Sequence, residues 1–411
     1  MTAATPALGL PETLLPRGWA DAVGFARVEG RLCVAFPKVY DSWHERLLAN
    51  AGLRTRHLVL LVRVLAKYLR AVGPQSAASS GIMLERDPGM LDWLEAACEL
   101  YDDYQENGLY WIKRDKLSSR AASGAITWRA TLSTTPAHLT DGVPVYLDVV
   151  RRTRSRSTED LLPRLHACVV DEVAKLLTGR SLVVESARVT TVEMDAIRSA
   201  PRPTFMALAR STYSDRGKRL LSLIQRYLHL SGAAETRFAN GALLCSADAF
   251  ELVWEHMLRV AIENAKGAAL VRMPAGMWTD ADGLAVRGIA PRPDFGFVAT
   301  ADGEIRLAIF DAKDKPIAKK GRSGTEQDHY KQITYRLLGA YDVPVWNALL
   351  FPSLERGRPD APFTALGCHA WQNCPATLVY EIAADYPTVC TAFLAGRRLD
   401  PTPVLIGLAP A

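Results

Sequence analysis

Two carboxylates and a lysine mark the stretch of this chain with the clearest capacity for chemistry. Asp294 stands in Pro291-Arg-Pro-Asp-Phe-Gly-Phe-Val298, and Asp311 and Lys313 close the run Ile305-Arg-Leu-Ala-Ile-Phe-Asp-Ala-Lys313. Neighbouring carboxylates repel one another unless a cation lies between them, and hard oxygen donors suit Mg2+, with Mn2+ as the alternative. A lysine beside such an ion can hold or deprotonate an attacking water and steady the charge that builds on a phosphate. Hydrolysis of a phosphate ester is the reaction this trio suits.

The elements that must position the trio are two apolar runs with β character, joined by Ala301-Asp-Gly-Glu304, whose Asp-Gly pair signals a hairpin turn. An antiparallel hairpin puts Asp294 at the start of one strand and Asp311 at the end of the other. Lys313, two residues on, falls on the same face as Asp311. A surface hairpin with solvated ends is the competing reading, and charge directly following Leu307-Ala-Ile-Phe310 speaks against it. Ahead of the hairpin, the spacing of Phe250, Val253, Trp254, Met257, Leu258 and Ile262 predicts an amphipathic helix with Ser246 as its N-cap. Beyond it, Thr325 opens a second helix that runs through Gln332 and Tyr335 to Leu338, and a strand is expected over 345–351. The intervening loop carries Lys315, Lys319, Lys320 and Arg322, and a second basic run holds Arg151, Arg152, Arg154 and Arg156. Both runs could neutralise the phosphates of a duplex without reading its sequence; solvated loops are the competing reading of each.

Pro293-Asp294 followed across a hairpin by Asp311-Ala312-Lys313 resembles the PD-(D/E)XK nuclease signature, framed by helix, strands, helix and strand in that superfamily's order. The blocks Ser246 to Glu255, the hairpin, Asp328 with Gln332 and Tyr335, and Ser123 to Thr131 before Pro144-Val-Tyr146 narrow this to a resemblance to the LlaJI-type restriction endonuclease family, which is related to McrC. The blocks cover residues 120 to 340. What the resemblance implies is a Mg2+-dependent endodeoxyribonuclease of an antiviral restriction system. It would act on double-stranded DNA with an McrB-like AAA+ GTPase, with room for a homodimer. Glu255 would be the acid from the first helix, and Asp294, Asp311 and Glu255 would hold the metal with the main-chain carbonyl of Ala312. Lys313 would position the water, and Gln332 and Tyr335 would line the site. The usual Q-x-x-x-Y spacing is shortened here to Gln332-Ile-Thr-Tyr335, a pair that still shares one helix face. The alternatives are a non-catalytic DNA-binding adaptor of an AAA+ motor and a nuclease acting on RNA or branched DNA. No G-x-x-x-x-G-K-[ST] loop is present, so any nucleotide would be bound by the partner.

The chain has 411 residues, enough for two or three domains, and its 49% hydrophobic and 23% charged content is that of an ordinary globular protein. A net charge of +5 permits a nucleic-acid partner without demanding one. The seven cysteines include no CxxC pair, which predicts reduced thiols in a cytosolic protein, and the resemblance implies a prokaryotic cytoplasm; Cys368-His369 with Cys374 lacks a fourth ligand for zinc. Neither a secretory signal nor a membrane span is expected. The fold expected is α/β, mixed α+β overall, in three parts. An α+β domain over 1–155 would recognise DNA, a helical connector would follow over 156–238, and a PD-(D/E)XK-like core over 239–411 would carry a mixed sheet flanked by helices.

Overall fold

A computed structural model describes residues 22–408, apart from 29–30, 74–81, 85–88, 121–122, 158–159, 183–187, 238–241, 272–276, 280–284, 288–291, 302, 316, 318–322, 340 and 372–373. The expected hairpin forms. Strand β1 (Phe295–Ala301) pairs antiparallel with β2 (Glu304–Ala312), and Gly303 takes the left-handed φ of 80° that the tight turn needs. β2 runs parallel to β3 (Val345–Ser353), and the strands β4 (Phe363–Trp371) and β5 (Cys374–Asp385) complete a five-stranded mixed sheet of order β1-β2-β3-β5-β4. Residues Leu307 to Ala312 are all buried, as a near-continuous apolar run at the parallel centre of a covered sheet should be.

Two helices pack on β2. Helix α1 (Ala247–Ile262) buries Phe250, Val253, Trp254, Met257 and Leu258 completely, as its apolar spacing requires. Helix α2 (Glu326–Gly339) sets Tyr335 against Leu307 and Ile309. At the end of β5, Asp385 accepts a hydrogen bond from Thr388 N (3.0 Å) and caps helix α3 (Tyr386–Ala395), whose Tyr386 ring stacks on Trp254 at 5.7 Å.

The edge strand β1 is held by a single side chain. Asn264 donates from Nδ2 to Val298 O (2.9 Å) and accepts from Val298 N (3.2 Å), while its Oδ1 also caps the short helix Ala265–Leu270 through Gly267 N (2.8 Å). One amide thus blunts an exposed strand edge and fixes the helix beside it. The approach is close enough that a Cβ on Gly267 would lie 2.2 Å from Gly296 O.

The chain's contacts divide it differently from the linear three-part expectation: residues 1–95 join 237–411 in one unit, and 96–236 form another. Ala22–Val28 pairs antiparallel both with Arg31–Ala35 and with the distant Ala242–Ser246. Helix Ala51–Val72 donates through Lys67 Nζ to Phe393 O (2.6 Å) in α3, and Tyr40 meets Tyr386 edge-on at 5.6 Å. Pairing between segments two hundred residues apart leaves no local trace in composition, which is why a reading along the chain separates them.

In the 96–236 unit, helices Leu161–Thr178, Thr191–Ser199, Pro201–Ser211 and Asp215–Arg237 accompany a three-stranded antiparallel sheet of Ile112–Ser118, Arg151–Ser157 and Ala125–Ile126. Arg216 forks onto Asp103 (2.8 Å) and Tyr110 bonds Ser214 (2.8 Å), so the residues after 96 belong with the helical segment. The run Ala125 to Leu132 reads as a strand in sequence, and the structure corrects this: the strand stops at Ile126 and the chain becomes helix Trp128–Thr134, in which Thr131 accepts from Val150 N (2.9 Å). The basic run from Arg151 is a strand rather than a loop, and its alternation places Arg152, Arg154 and Arg156 at same-face positions opposite Leu117, Asp115 and Lys113.

The glycine contact behind β1 yields a prediction. Gly267→Ala should destabilise the protein by about 1–3 kcal/mol through overpacking, and thermal unfolding should show it. Gly407→Ala, with nothing within 4 Å of the added carbon, should leave the melting temperature nearly unchanged.

Candidate active site

The register of the hairpin ends at Phe295 opposite Phe310, so the next step along both chains brings Asp294 beside Asp311. Asp311 is completely buried. Each of its carboxylate oxygens faces an ammonium: Lys313 Nζ lies 2.5 Å from Oδ2 and Lys331 Nζ 2.7 Å from Oδ1. Oδ2 has the ion pair but no aligned hydrogen bond among the described residues. Lys313 stays in the sheet, its N–H donating to Leu350 O (2.9 Å), and its ammonium also lies 3.2 Å from Asp328 Oδ1. Burial alone would lower the lysine's pKa, but the Asp311 charge overcomes it and holds Lys313 protonated above the usual lysine range.

Asp294 Oδ2 accepts a hydrogen bond from Ala312 N (2.6 Å). Burial, together with the charges of Asp311 and Glu255, pushes its carboxyl up to about 7. Glu255, on α1, is gripped one turn later by Arg259, whose Nε and Nη2 also donate to Asp294 O (2.9 and 2.6 Å). Burial raises the Glu255 pKa; Arg259 pulls it down and Asp311 pushes it up. The three acids therefore feel one another's charge. Even so, among the described residues no three His, Cys, Asp or Glu side chains stand close enough to hold a metal ion as they are.

Helix α2 supplies the other wall. Tyr335 donates from its hydroxyl to Arg292 O (2.8 Å), tying the helix to the chain that leads into Asp294. Gln332 is fully buried, and neither end of its amide finds a hydrogen-bond partner among the described residues; the same holds for Asn347 on β3. Asp328 caps the helix, accepting from Thr325 N (2.8 Å) and from Lys315 Nζ (2.6 Å). Its burial is outweighed by these bonds, and the carboxyl is held far below the usual range.

The loop after Lys315 is fastened at both ends: Lys315 by Asp328, and Ser323 N and Gly324 N by Glu381 Oε2 and Oε1 (2.6 and 2.9 Å). Lys319, Lys320 and Arg322 lie outside the described residues. In the other unit, Arg151 Nη1 donates to Gly124 O (3.1 Å) and Arg152 is exposed, while the backbone alone is described at Arg154 and Arg156.

Asp294, Asp311, Ala312, Lys313 and Tyr335 thus meet at the ends of β1 and β2 under α2, with Glu255 drawn to the same place from α1 but bound by Arg259, while Gln332 is buried on α2. Sequence reasoning missed Arg259 and Lys331. The i, i+4 spacing of Glu255 and Arg259 was a usable signal; Lys331 precedes Gln332 with nothing in its neighbours to single it out. No described helix is long and apolar enough to cross a membrane.

The donor set has the chemistry of one class of metal. Its atoms are carboxylate oxygens, one of them buried without an aligned hydrogen bond, and ammonium groups already stand where positive charge is required. That chemistry fits a hard divalent cation, which takes one or two carboxylates and keeps several waters.

Comparison with known proteins gives a family model, described as LlaJI restriction endonuclease, that matches residues 23–366. The match reaches about a hundred residues further toward the N-terminus than the motif blocks do. Among solved structures, a chain of the refined half-complex from a tetradecameric assembly of Thermococcus gammatolerans McrB AAA+ hexamers with bound McrC is similar at 13% identity and a TM-score of 0.28, over 92% of this chain and 82% of that one. No curated protein matches.

The raised Asp294 pKa makes stability depend on pH. A carboxyl whose pKa is higher folded than unfolded favours folding while protonated; the benefit is present below about pH 4 and is lost as pH rises through about 7. Without added metal, the melting temperature of the wild type should fall more between pH 5 and pH 8 than that of Asp294→Asn, which still offers an oxygen to Ala312 N. Parallel pH profiles of the two proteins would mean that Asp294 carries no such shift.

Proposed function

Because the chain belongs to the LlaJI restriction endonuclease family, we propose that it cuts double-stranded DNA in a Mg2+-dependent reaction at the Asp294, Asp311 and Lys313 site, in the manner of PD-(D/E)XK nucleases. The observation that carries the reading is the fully buried Asp311, set beside Asp294 at the end of an apolar sheet and facing Lys313 two residues on. Bringing charge into such a place costs several kcal/mol and makes poor sense as a structural device alone. An adaptor that only bound DNA would need none of it.

In this reading Asp294, Asp311, Glu255 and the Ala312 carbonyl would hold the ion, with Mn2+ able to replace Mg2+, and Arg259 keeps its grip on Glu255. A bound divalent cation supplies water that ionises more readily and offsets the charge on the phosphate. Lys313, fixed between Asp311 and Asp328, orients the attacking water and offers a proton-bearing ammonium to the charge that develops on phosphorus-bound oxygen. Tyr335 keeps the segment entering Asp294 in place. The loop from Lys315 through Lys319, Lys320 and Arg322, and the strand with Arg151, Arg152, Arg154 and Arg156, contact backbone phosphates. An McrB-like AAA+ GTPase is the partner that the family relationship suggests, and the cytoplasm is where both would meet foreign DNA.

The test is Mg2+-dependent cleavage of duplex DNA by the full chain, with and without that partner, alongside thermal unfolding. Asp294→Asn should melt close to the wild type yet cut slower by several orders of magnitude, because the charge that holds the ion is gone. Lys313→Ala should cost on the order of 3 kcal/mol or more in the barrier. Near-normal cutting by folded Asp294→Asn protein would remove the reaction from this site.

A further inference from the structure

Asp311 has two lysines, and they are not equivalent. Lys313 is locked, its side chain only 10% exposed and shared with Asp328. Lys331 reaches Asp311 Oδ1 at 2.7 Å from the surface of α2 with 43% of its side chain open to solvent, and its ammonium lies 5.6 Å from the centre of the Tyr335 ring, one turn on. A long, half-solvated lysine can carry its charge into water once another cation takes its place at the carboxylate; the buried one cannot.

We propose that Lys331 is an internal counter-cation, which occupies the place of the divalent ion in the metal-free protein and must leave Asp311 for that ion to bind. The inference rests on the metal reading given above and deepens it. Fully ionised, Asp294, Asp311 and Glu255 face Lys313, Lys331 and Arg259, three charges of each sign. A divalent ion entering that balanced set brings two surplus positive charges, and the departing lysine carries one of them off. The other is matched by one phosphodiester. On leaving Asp311 the ammonium remains tethered at the site's rim, where it can take a backbone phosphate of the duplex.

Calorimetric titration of the metal-free full chain with Mn2+, without DNA, reads this directly. Lys331→Met should bind Mn2+ roughly fivefold tighter or more, the gain expected when a partly exposed competing ammonium is removed, while Lys331→Arg stays near the wild type. Lys331→Gln, which keeps a polar head for solvent, should repeat the Met result. In thermal unfolding, Lys331→Met should melt lower without metal and gain more from added Mn2+ than the wild type does. Unchanged or weaker Mn2+ binding by Lys331→Met, with binding abolished in Asp311→Asn, would overturn the counter-cation and leave the metal site standing. Absence of binding in the wild type and in both neutral Lys331 variants would overturn the inference and the metal reading together.

Discussion

The site depends on one buried charge. Asp311 has no access to water, and Lys313 and Lys331 each hold one of its oxygens. Removing one partner of such a pair typically costs about 3–5 kcal/mol, because the remaining charge is left buried and uncompensated. From this arrangement much of the local architecture follows. Lys313 can stay in place only with a second acid to share it, which Asp328 supplies. Asp328 is in turn free to face inward because it caps α2 and binds Lys315. Helix α2 and the strand β3 also carry Gln332 and Asn347 respectively, fully buried amides that a purely structural core would replace with apolar side chains.

The sheet serves this charge by keeping two strand ends in register. β2 is central and rigid, paired on both sides, whereas β1 is an edge strand that would fray on its own. Asn264 takes the place of a further strand by satisfying both main-chain groups of Val298, and the glycine contact lets its helix lie against β1. At the other end of β1, Arg259 and Tyr335 each hold a carbonyl, those of Asp294 and Arg292. Asp294 therefore sits between two fixed points, close enough to Asp311 that their repulsion is not relieved by movement.

Much of this is legible in the residues themselves. The Asp-Gly turn sets the hairpin, and the hairpin with strand alternation sets which of Asp294, Asp311 and Lys313 converge; α1 and α2 follow from apolar spacing and from Thr325. What the sequence hides is of two kinds. Long-range pairing is one: nothing in Ala22–Val28 announces Ala242–Ser246 as its neighbour, so the unit built from both ends of the chain is invisible to a linear reading. The other is the geometry of long side chains. Lys331 lies on a helix in a run of polar residues, and only the packing of α2 on the sheet shows that it points at Asp311 rather than at solvent. Trp128 to Thr134 is misread and not hidden: its threonines have strand propensity, and tertiary context, including the bond from Val150 N to Thr131, overrides it.

Sharing of a divalent cation between Asp294 and Asp311 is the step on which the proposed nuclease activity rests. Crystals of the full chain grown with Mn2+ and measured at an energy where manganese scatters anomalously test it most directly. The account predicts a single strong anomalous peak within coordination distance of carboxylate oxygens from both Asp294 and Asp311, and its loss in crystals of Asp311→Asn. A protein that cleaves DNA in the same Mn2+ solution while its crystals show the peak elsewhere would contradict it.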